Sequence, residues 1–171
     1  MVSSSYLISI LPLVNFYRGI TITILTRTSY LDHLCKPDLT IVNQTDPSFI
    51  AWRTAMFTLS KCRRTYMKLS GCFAELPDSL KARSAEDIFS AILPWLAVVL
   101  AAFGPRRIMF GSDWPVCTVG VGDDAWRKWH KVVEMVCDLA GLRPEEEKEL
   151  WSGTARRAYK IDDNDDDEDQ T

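Results

Sequence analysis

The stretch RIMFGSDWPV, residues 107–116, begins as a buried strand and ends in a different kind of sequence. Its first half is apolar, a Gly-Ser pair interrupts the run, and Asp113 follows, directly before Trp114 and Pro115. Parallel α/β folds keep their catalytic groups at the carboxyl ends of such strands. The stretch therefore predicts a buried strand that carries Asp113 into a functional site, with the Trp-Pro pair stiffening the turn.

Two more strands are predicted upstream, in YLDHL at residues 30–34 and in TYMKLSG at residues 65–71. Helices are predicted between and after the strands, because apolar residues recur there at helical spacing. The predicted helix starts are Asp46-Pro47, Ser84 with Asp87 as a capping box, Asp123 or Asp124, and Pro144. We expect Pro94 to split or kink the second helix and Gly104 to end it.

Strands that alternate with helices predict an α/β fold with a parallel sheet, as a (β/α) barrel or an open doubly wound sheet. The sequence lacks the glycine-rich nucleotide-binding motifs, which counts against a nucleotide-binding sheet. In a barrel, alternation along TYMKLSG turns Lys68 and Ser70 to the interior. The same alternation brings Asp113 to the interior rim, and either Asp32 or His33 arrives there from the first strand. Three strands thus deliver polar groups to one mouth.

The charge balance differs between the body of the chain and its end. The net charge is −3, but seven of the 23 acidic residues lie in the last ten positions, residues 162–171. The body therefore carries 16 acids against 20 Lys and Arg, a net charge of about +4. This small excess gives no case for nucleic-acid binding, and the like-charged tail is predicted to be solvated and disordered.

The five cysteines are odd in number and form no C-x-x-C pair, so a disulfide framework and a zinc knuckle are both disfavoured. Free thiols in a reducing compartment are the simplest interpretation, which predicts a cytoplasmic protein. The apolar start of the chain, within residues 1–29, lacks a basic leader and is interrupted by Pro12. These features disfavour a secretion signal and a membrane anchor.

Three motifs in this order, YLDHLCKP, TYMKLSG and RIMFGSDWPV, resemble the amidohydrolase-related (amidohydrolase 2) family. The likeness is to its metal-optional lactonase branch, which includes fuconolactonase, rhamnonolactonase and pyrone-dicarboxylate lactonase. The ending ELWSGTARRAYKI, residues 149–161, is also similar to the closing helix of that family. The resemblance covers about residues 30–161.

The resemblance implies a (β/α)8 barrel of which this chain is the C-terminal half, with about strands 6–8 and their helices. It implies that Asp113 is the general base that takes a proton from the attacking water. His33 then polarises the scissile carbonyl or, together with Asp113, binds a divalent metal such as zinc. The implied substrate is a small lactone or a carboxylate-bearing ring, and its predicted contacts are Lys36, Lys68, Ser70 and Trp114.

The sequence departs from the family pattern at its beginning. The H-x-H motif of the family's first strand is absent, since His33 and His130 are the only histidines, and residues 1–29 match no part of the family. We therefore expect weak or no lactone hydrolysis from this chain alone. The alternative to a hydrolase is an inactive truncated product, or a half-barrel that pairs with another chain or with a second copy of itself.

Structural roles are the alternatives for the same residues. Asp113 could cap a turn after its strand, and His33 could be a core histidine bonded to the backbone. Lys68 could pair with Asp113, bind a substrate carboxylate or reach solvent, and Lys36 has the same ambiguity.

Overall fold

The computed structural model describes residues 28–161, so the predictions for residues 1–27 and for the acidic tail lie outside the described residues. The described part contains a three-stranded parallel sheet in the order β1-β2-β3. The strands are β1 (Ser29–Leu31), β2 (Thr65–Leu69) and β3 (Ile108–Phe110). Their order and parallel direction confirm the predicted α/β class, and each strand is shorter than predicted.

Within residues 28–161, helices connect the strands and follow the last one. They are α1 (Pro47–Ser60), α2 (Cys72–Glu75), α3 (Asp78–Lys81), α4 (Ala85–Phe103), α5 (Ala125–Ala140), α6 (Pro144–Lys148) and α7 (Thr154–Tyr159). A π-helical turn at Glu149–Gly153 joins α6 to α7. Short 3-10 turns occupy His33–Cys35, Pro105–Arg107 and Val116–Thr118.

Side-chain caps start two of the helices, as the sequence predicts. The Asp46 carboxylate accepts a hydrogen bond from the Ser48 amide at 2.8 Å, and Pro47 supplies the first residue of α1. At the start of α4, the Ser84 hydroxyl oxygen accepts one from the Asp87 amide at 3.1 Å. These bonds satisfy amide groups that have no partner inside the helix.

Of the predicted split or kink of α4 at Pro94, the split is wrong, because the helix runs unbroken from Ala85 to Phe103, and the predicted end at Gly104 is confirmed. Proline removes one backbone hydrogen bond, a cost of about 3 kcal/mol in a helix interior. Burial outweighs that cost, since each buried apolar side chain contributes about 1.5–3 kcal/mol. The α4 side chains buried in the core include Ile88, Ile92, Trp95, Leu96 and Val99. In the described part, α4 is long and apolar enough to cross a membrane, yet this face packs against protein.

The sheet has two unlike faces. Its outer face, around Met67 and Leu69, is covered by the helices, and these two side chains are at most 2% exposed. On its inner face Tyr30, Tyr66 and Lys68 are half-buried, whereas Met109, which lies opposite Lys68, is 2% exposed. This division confirms the predicted alternation along β2, and the inner face is the one that would line a barrel.

The C-terminal helix returns to the inner face at β1. Tyr159 of α7 stacks on Tyr30, with ring centroids 4.6 Å apart and planes 12° apart. The Tyr30 hydroxyl also donates a hydrogen bond to the Ala158 carbonyl oxygen at 2.7 Å. The last described helix therefore holds the first described strand in place and covers part of the inner face.

Candidate functional site

His33 lies just beyond β1, in a turn whose backbone is left-handed. All four residues from His33 to Lys36 have φ between 48° and 58°, a conformation that costs about 1–2 kcal/mol for each non-glycine residue. Three bonds hold the turn: the Cys35 amide donates to the Asp32 carbonyl oxygen at 2.9 Å, the Lys36 amide to the His33 carbonyl oxygen at 2.8 Å, and Trp52 Nε1 to the Leu34 carbonyl oxygen at 2.9 Å. The strand predicted to reach Leu34 ends at Leu31 because this turn redirects the chain.

The imidazole of His33 rests on the backbone of Gly71, the residue between β2 and α2. A β-carbon built at Gly71 would lie 2.2 Å from His33 Nδ1, and the Gly71 φ is +68°. Any larger residue would therefore push the ring away. Sequence reasoning missed Gly71 as a site residue, and the available signal was a glycine directly after a predicted strand.

The ends of the three strands bring His33, Ser70 and Asp113 together. Ser70 Oγ lies 3.0 Å from His33 Nδ1, and Asp113 Oδ1 lies 3.8 Å from the same nitrogen. The His33 and Asp113 side chains keep 28% and 17% of their surface exposed, whereas Ser70 is 3% exposed. A carboxylate and an imidazole therefore share one corner that solvent reaches, and their catalytic roles stay predictions.

A tight turn after β3 presents the Asp113 carboxylate. Asp113 has a left-handed backbone with φ of 60°, and its carbonyl oxygen accepts a hydrogen bond from the Cys117 amide at 2.9 Å. The Trp114 amide is bonded to the Ser112 hydroxyl oxygen at 3.3 Å, and the Trp114-Pro115 peptide is cis. Trp114 is 74% exposed, so its ring does not pack in the core.

Lys68 lies on the inner face and pairs with Asp32 rather than with Asp113. Its Nζ is 2.8 Å from Asp32 Oδ1 and 5.7 Å from the centre of the Tyr159 ring. Partial burial lowers the pKa of Lys68, but its interactions with Asp32 and Tyr159 outweigh that effect, so the net shift is upward. Lys68 is therefore a cation that already has the Asp32 carboxylate as its partner. Either Asp32 or His33 was predicted to reach the interior rim from the first strand. In the structure Asp32 pairs with Lys68, and His33 lies in the candidate site.

Lys36 follows the left-handed turn and faces an acid that sequence reasoning missed. Its Nζ lies 3.9 Å from Oε1 of Glu75, in α2. The two side chains are 48% and 28% exposed, so the pair is weak and the lysine remains reachable from solvent. No sequence pattern marked Glu75, which reaches Lys36 only because α2 follows β2 at the same edge of the sheet.

The thiols near the site are protonated at neutral pH. Burial raises the pKa of Cys72, and the Asp113 charge contributes to the same shift. Burial and then Asp113 also raise the pKa of Cys117. Burial raises the pKa of Cys35 to about 12. Since thiolates are the nucleophilic and metal-binding form, these cysteines are unsuited to either task.

The predicted metal ligands do not make a complete site. Catalytic zinc is usually held by three protein ligands in addition to water or substrate. Across residues 28–161, no three His, Cys, Asp or Glu side chains come together in a way that could hold a metal ion. His33 and Asp113 supply two, so a zinc ion here would need a further ligand from outside the described part.

The sequence has known relatives. Residues 30–161 match the family model described as amidohydrolase. The L-rhamnono-gamma-lactonase of Scheffersomyces stipitis is 33% identical over 140 residues, covering 77% of this chain and 40% of the relative. The L-fucono-1,5-lactonase of Burkholderia multivorans is 37% identical over 131 residues, covering 77% of this chain and 42% of the relative. The chain thus spans about two fifths of the length of these curated relatives.

Solved structures agree with the sequence relatives. An amidohydrolase from Burkholderia multivorans, crystallised with HEPES bound, superimposes with a TM-score of 0.67 and 34% identity. The match covers 78% of this chain and 44% of that protein. A second crystal form of the same protein, with zinc bound, gives a TM-score of 0.65 at 34% identity. The three strands and their helices therefore correspond to part of a larger fold.

Proposed function

Because this chain belongs to the amidohydrolase family, we propose that it is the C-terminal part of a barrel hydrolase that opens a lactone or a related cyclic ester. The sugar-acid lactonases among its relatives support the substrate class. The observation that carries the proposal is the approach of His33 Nδ1 to Asp113 Oδ1, at 3.8 Å, from the ends of two different strands. Carboxyl ends of barrel strands are where this fold keeps its chemistry.

In this proposal Asp113 is the general base. Its carboxylate accepts a proton from water as the water oxygen attacks the ring carbonyl carbon. The resulting tetrahedral intermediate collapses, the ring C–O bond breaks, and the leaving oxygen takes the proton from Asp113. The product is an open-chain hydroxy acid, and the carboxylate is returned to its starting state.

His33 stabilises the negative charge that develops on the carbonyl oxygen. Its side chain is 28% exposed, so a ring N–H can reach a substrate beside Asp113. Losing one such donor typically lowers kcat by about 100- to 1000-fold. Since the chain spans 44% of the solved relative, further donors would come from the part it does not span, and we expect little turnover from this chain alone.

At the rim, Lys36 and Trp114 are the residues best placed to contact substrate. Lys36 is 48% exposed in its side chain and offers a cation to a substrate carboxylate. Trp114 is 74% exposed and offers an aromatic face to a sugar or pyrone ring. Lys68 and Ser70 were also predicted to bind substrate, but both already have partners within the chain.

The test uses a completed barrel. The N-terminal part of the Burkholderia multivorans protein that this chain does not span is fused to residues 30–161 of this chain. Lactone opening is followed with a pH indicator, with and without chelator and added zinc. We expect turnover by the completed barrel and loss of most of it in Asp113→Asn, which keeps the shape and removes the base. The matched control is Asp138→Asn, on an exposed position of α5. Near wild-type turnover in Asp113→Asn would reject the assignment of the base.

A second candidate function is association with another chain. In the described part, β1 and β3 each pair only with β2, so neither edge of the sheet is paired with a further strand. Unpaired strand edges and an inner face that α7 covers only in part favour pairing with a second copy or with another half-barrel. Sedimentation across a concentration series tests this, and a clean monomer at all concentrations would argue against it.

A further inference from the structure

The buried hydroxyl of Ser70 contacts a ring nitrogen of His33, which can be either a hydrogen-bond donor or an acceptor. Ser70 is 3% exposed, and its Oγ lies 3.0 Å from His33 Nδ1. Among the hydrogen bonds of residues 28–161, this is the one contact that its hydroxyl makes. A buried hydroxyl without an acceptor for its proton costs about 1–3 kcal/mol. Ser70 is therefore satisfied only if it donates its proton to His33.

Donation from Ser70 to His33 determines which nitrogen of the neutral imidazole carries the proton. A neutral imidazole has one N–H and one lone pair, so an Nδ1 that accepts from Ser70 leaves the proton on Nε2. Asp113 does not reverse the choice, because its Oδ1 is 3.8 Å from Nδ1 and lies beyond hydrogen-bonding distance.

We propose that Ser70 is a positioning residue, which holds neutral His33 as the Nε2–H tautomer so that this N–H faces the substrate. His33 Nε2 makes no hydrogen bond within residues 28–161, and it belongs to a side chain that is 28% exposed. The use of this N–H on a carbonyl oxygen rests on the proposed function, whereas the tautomer does not. Ser70 thereby changes from a predicted substrate contact to a residue that acts through His33.

Nitrogen NMR tests the proposal directly, because the sequence contains two histidines, His33 and His130. The full chain is labelled with 15N-histidine, and long-range 1H–15N spectra are recorded at about pH 8, where an ordinary imidazole is neutral. Single substitutions of each histidine by Gln assign the signals. Sedimented protein can be measured by magic-angle spinning, so self-association does not prevent the experiment.

We expect wild-type His33 to show an unprotonated Nδ1 and a protonated Nε2. Ser70→Ala should lose this single-tautomer pattern while His130 is unchanged. The matched control is Thr65→Val, which removes another buried hydroxyl from β2 and should leave the His33 pattern intact. A wild-type ring protonated on Nδ1, or an unchanged His33 spectrum in Ser70→Ala, overturns the proposal. A confirmed tautomer without lactone turnover in the completed barrel would instead reject the proposed function.

Discussion

The His33 ring and the Gly71 backbone occupy touching positions, with 2.2 Å between Nδ1 and the place where a β-carbon would sit. The contact joins the loop after β1 to the loop after β2, and so it sets how far the imidazole stands from the end of β3. Ser70, the neighbour of Gly71, holds the same nitrogen at 3.0 Å. Two consecutive residues of one loop therefore fix both the place and the orientation of the ring.

Gly71→Ala should destabilise the chain and displace His33. The left-handed φ alone costs about 1–2 kcal/mol, and the contact with the ring adds to it. Gly141→Ala is the matched control, because its φ is +59° and nothing lies within 4 Å of the added carbon. Urea unfolding should show a larger loss for Gly71→Ala, and only that variant should shift the His33 NMR signals. Equal losses with unmoved signals would contradict the close packing.

Lys160→Gly should stabilise the chain by about 1 kcal/mol. Lys160 is exposed and caps α7 with φ of 57° and ψ of 46°, a conformation that glycine adopts without steric cost. Lys148→Gly, at an exposed helical position in α6, is the opposite control and should cost about 1 kcal/mol. Thermal unfolding of both variants measures the two effects. A loss of stability in Lys160→Gly would show that its side chain makes a contact that matters.

Cys35 should resist alkylation in the folded chain. With a pKa of about 12, the thiol is ionised in about one molecule in 10,000 at pH 8, far less than an unfolded cysteine. Iodoacetamide labelling followed by peptide mass spectrometry should be slow in buffer and fast in urea. Labelling of Cys35 at equal rates in both conditions would mean that the partly buried thiol is not protected by the fold.

The same shift gives a pH dependence of stability. The folded pKa of Cys35 lies above the unfolded value of about 8.5, so its contribution is complete below that pH. The contribution is lost as the pH rises toward about 12. The slope of unfolding free energy against pH above 9 should therefore be less negative in Cys35→Ala than in wild type.

The Lys68–Asp32 pair should contribute modestly to stability. Its side chains are 32% and 38% exposed, so a double-mutant cycle with Lys68→Met and Asp32→Asn should give a coupling of at most about 1 kcal/mol. The pKa of Lys68 is raised, so the coupling should be complete below about pH 10.4 and fade as the pH rises through the folded pKa. The Lys131–Glu134 pair, which is 52% and 41% exposed, should show less coupling. A larger coupling energy for Lys131–Glu134 than for Lys68–Asp32 would contradict the expectation that the less exposed pair is more strongly coupled.

The sequence was a good guide wherever local chemistry decides the structure. The period of two along TYMKLSG placed Lys68 and Ser70 on the correct side, because one face of β2 must be buried. The Asp46 and Ser84 caps were predictable because the first amide groups of a helix need an acceptor from outside the helix. The position of Asp113 beyond the carboxyl end of β3 was also predictable, because the apolar run of that strand stops at Gly111, and its catalytic role stays a prediction.

Other features depend on contacts between distant residues, which local patterns do not encode. No glycine or asparagine marks the left-handed turn from His33 to Lys36, and Trp52 of α1 helps to hold it. Lys68 pairs with Asp32 because the register of Leu31 with Met67 brings Asp32 level with Lys68, whereas on the other side Lys68 lies opposite Met109, four residues before Asp113. Whether α4 continues through Pro94 likewise depends on how much of the helix is buried.

The stacking of Tyr159 on Tyr30 has a consequence for biosynthesis. The Tyr30 hydroxyl and its Ala158 acceptor are 128 positions apart, so a chain growing from its N-terminus makes β1 long before α7 exists. At about 5–20 residues per second, that interval lasts on the order of ten seconds. Throughout it the Tyr30 ring lacks the cover that α7 gives it in the folded chain.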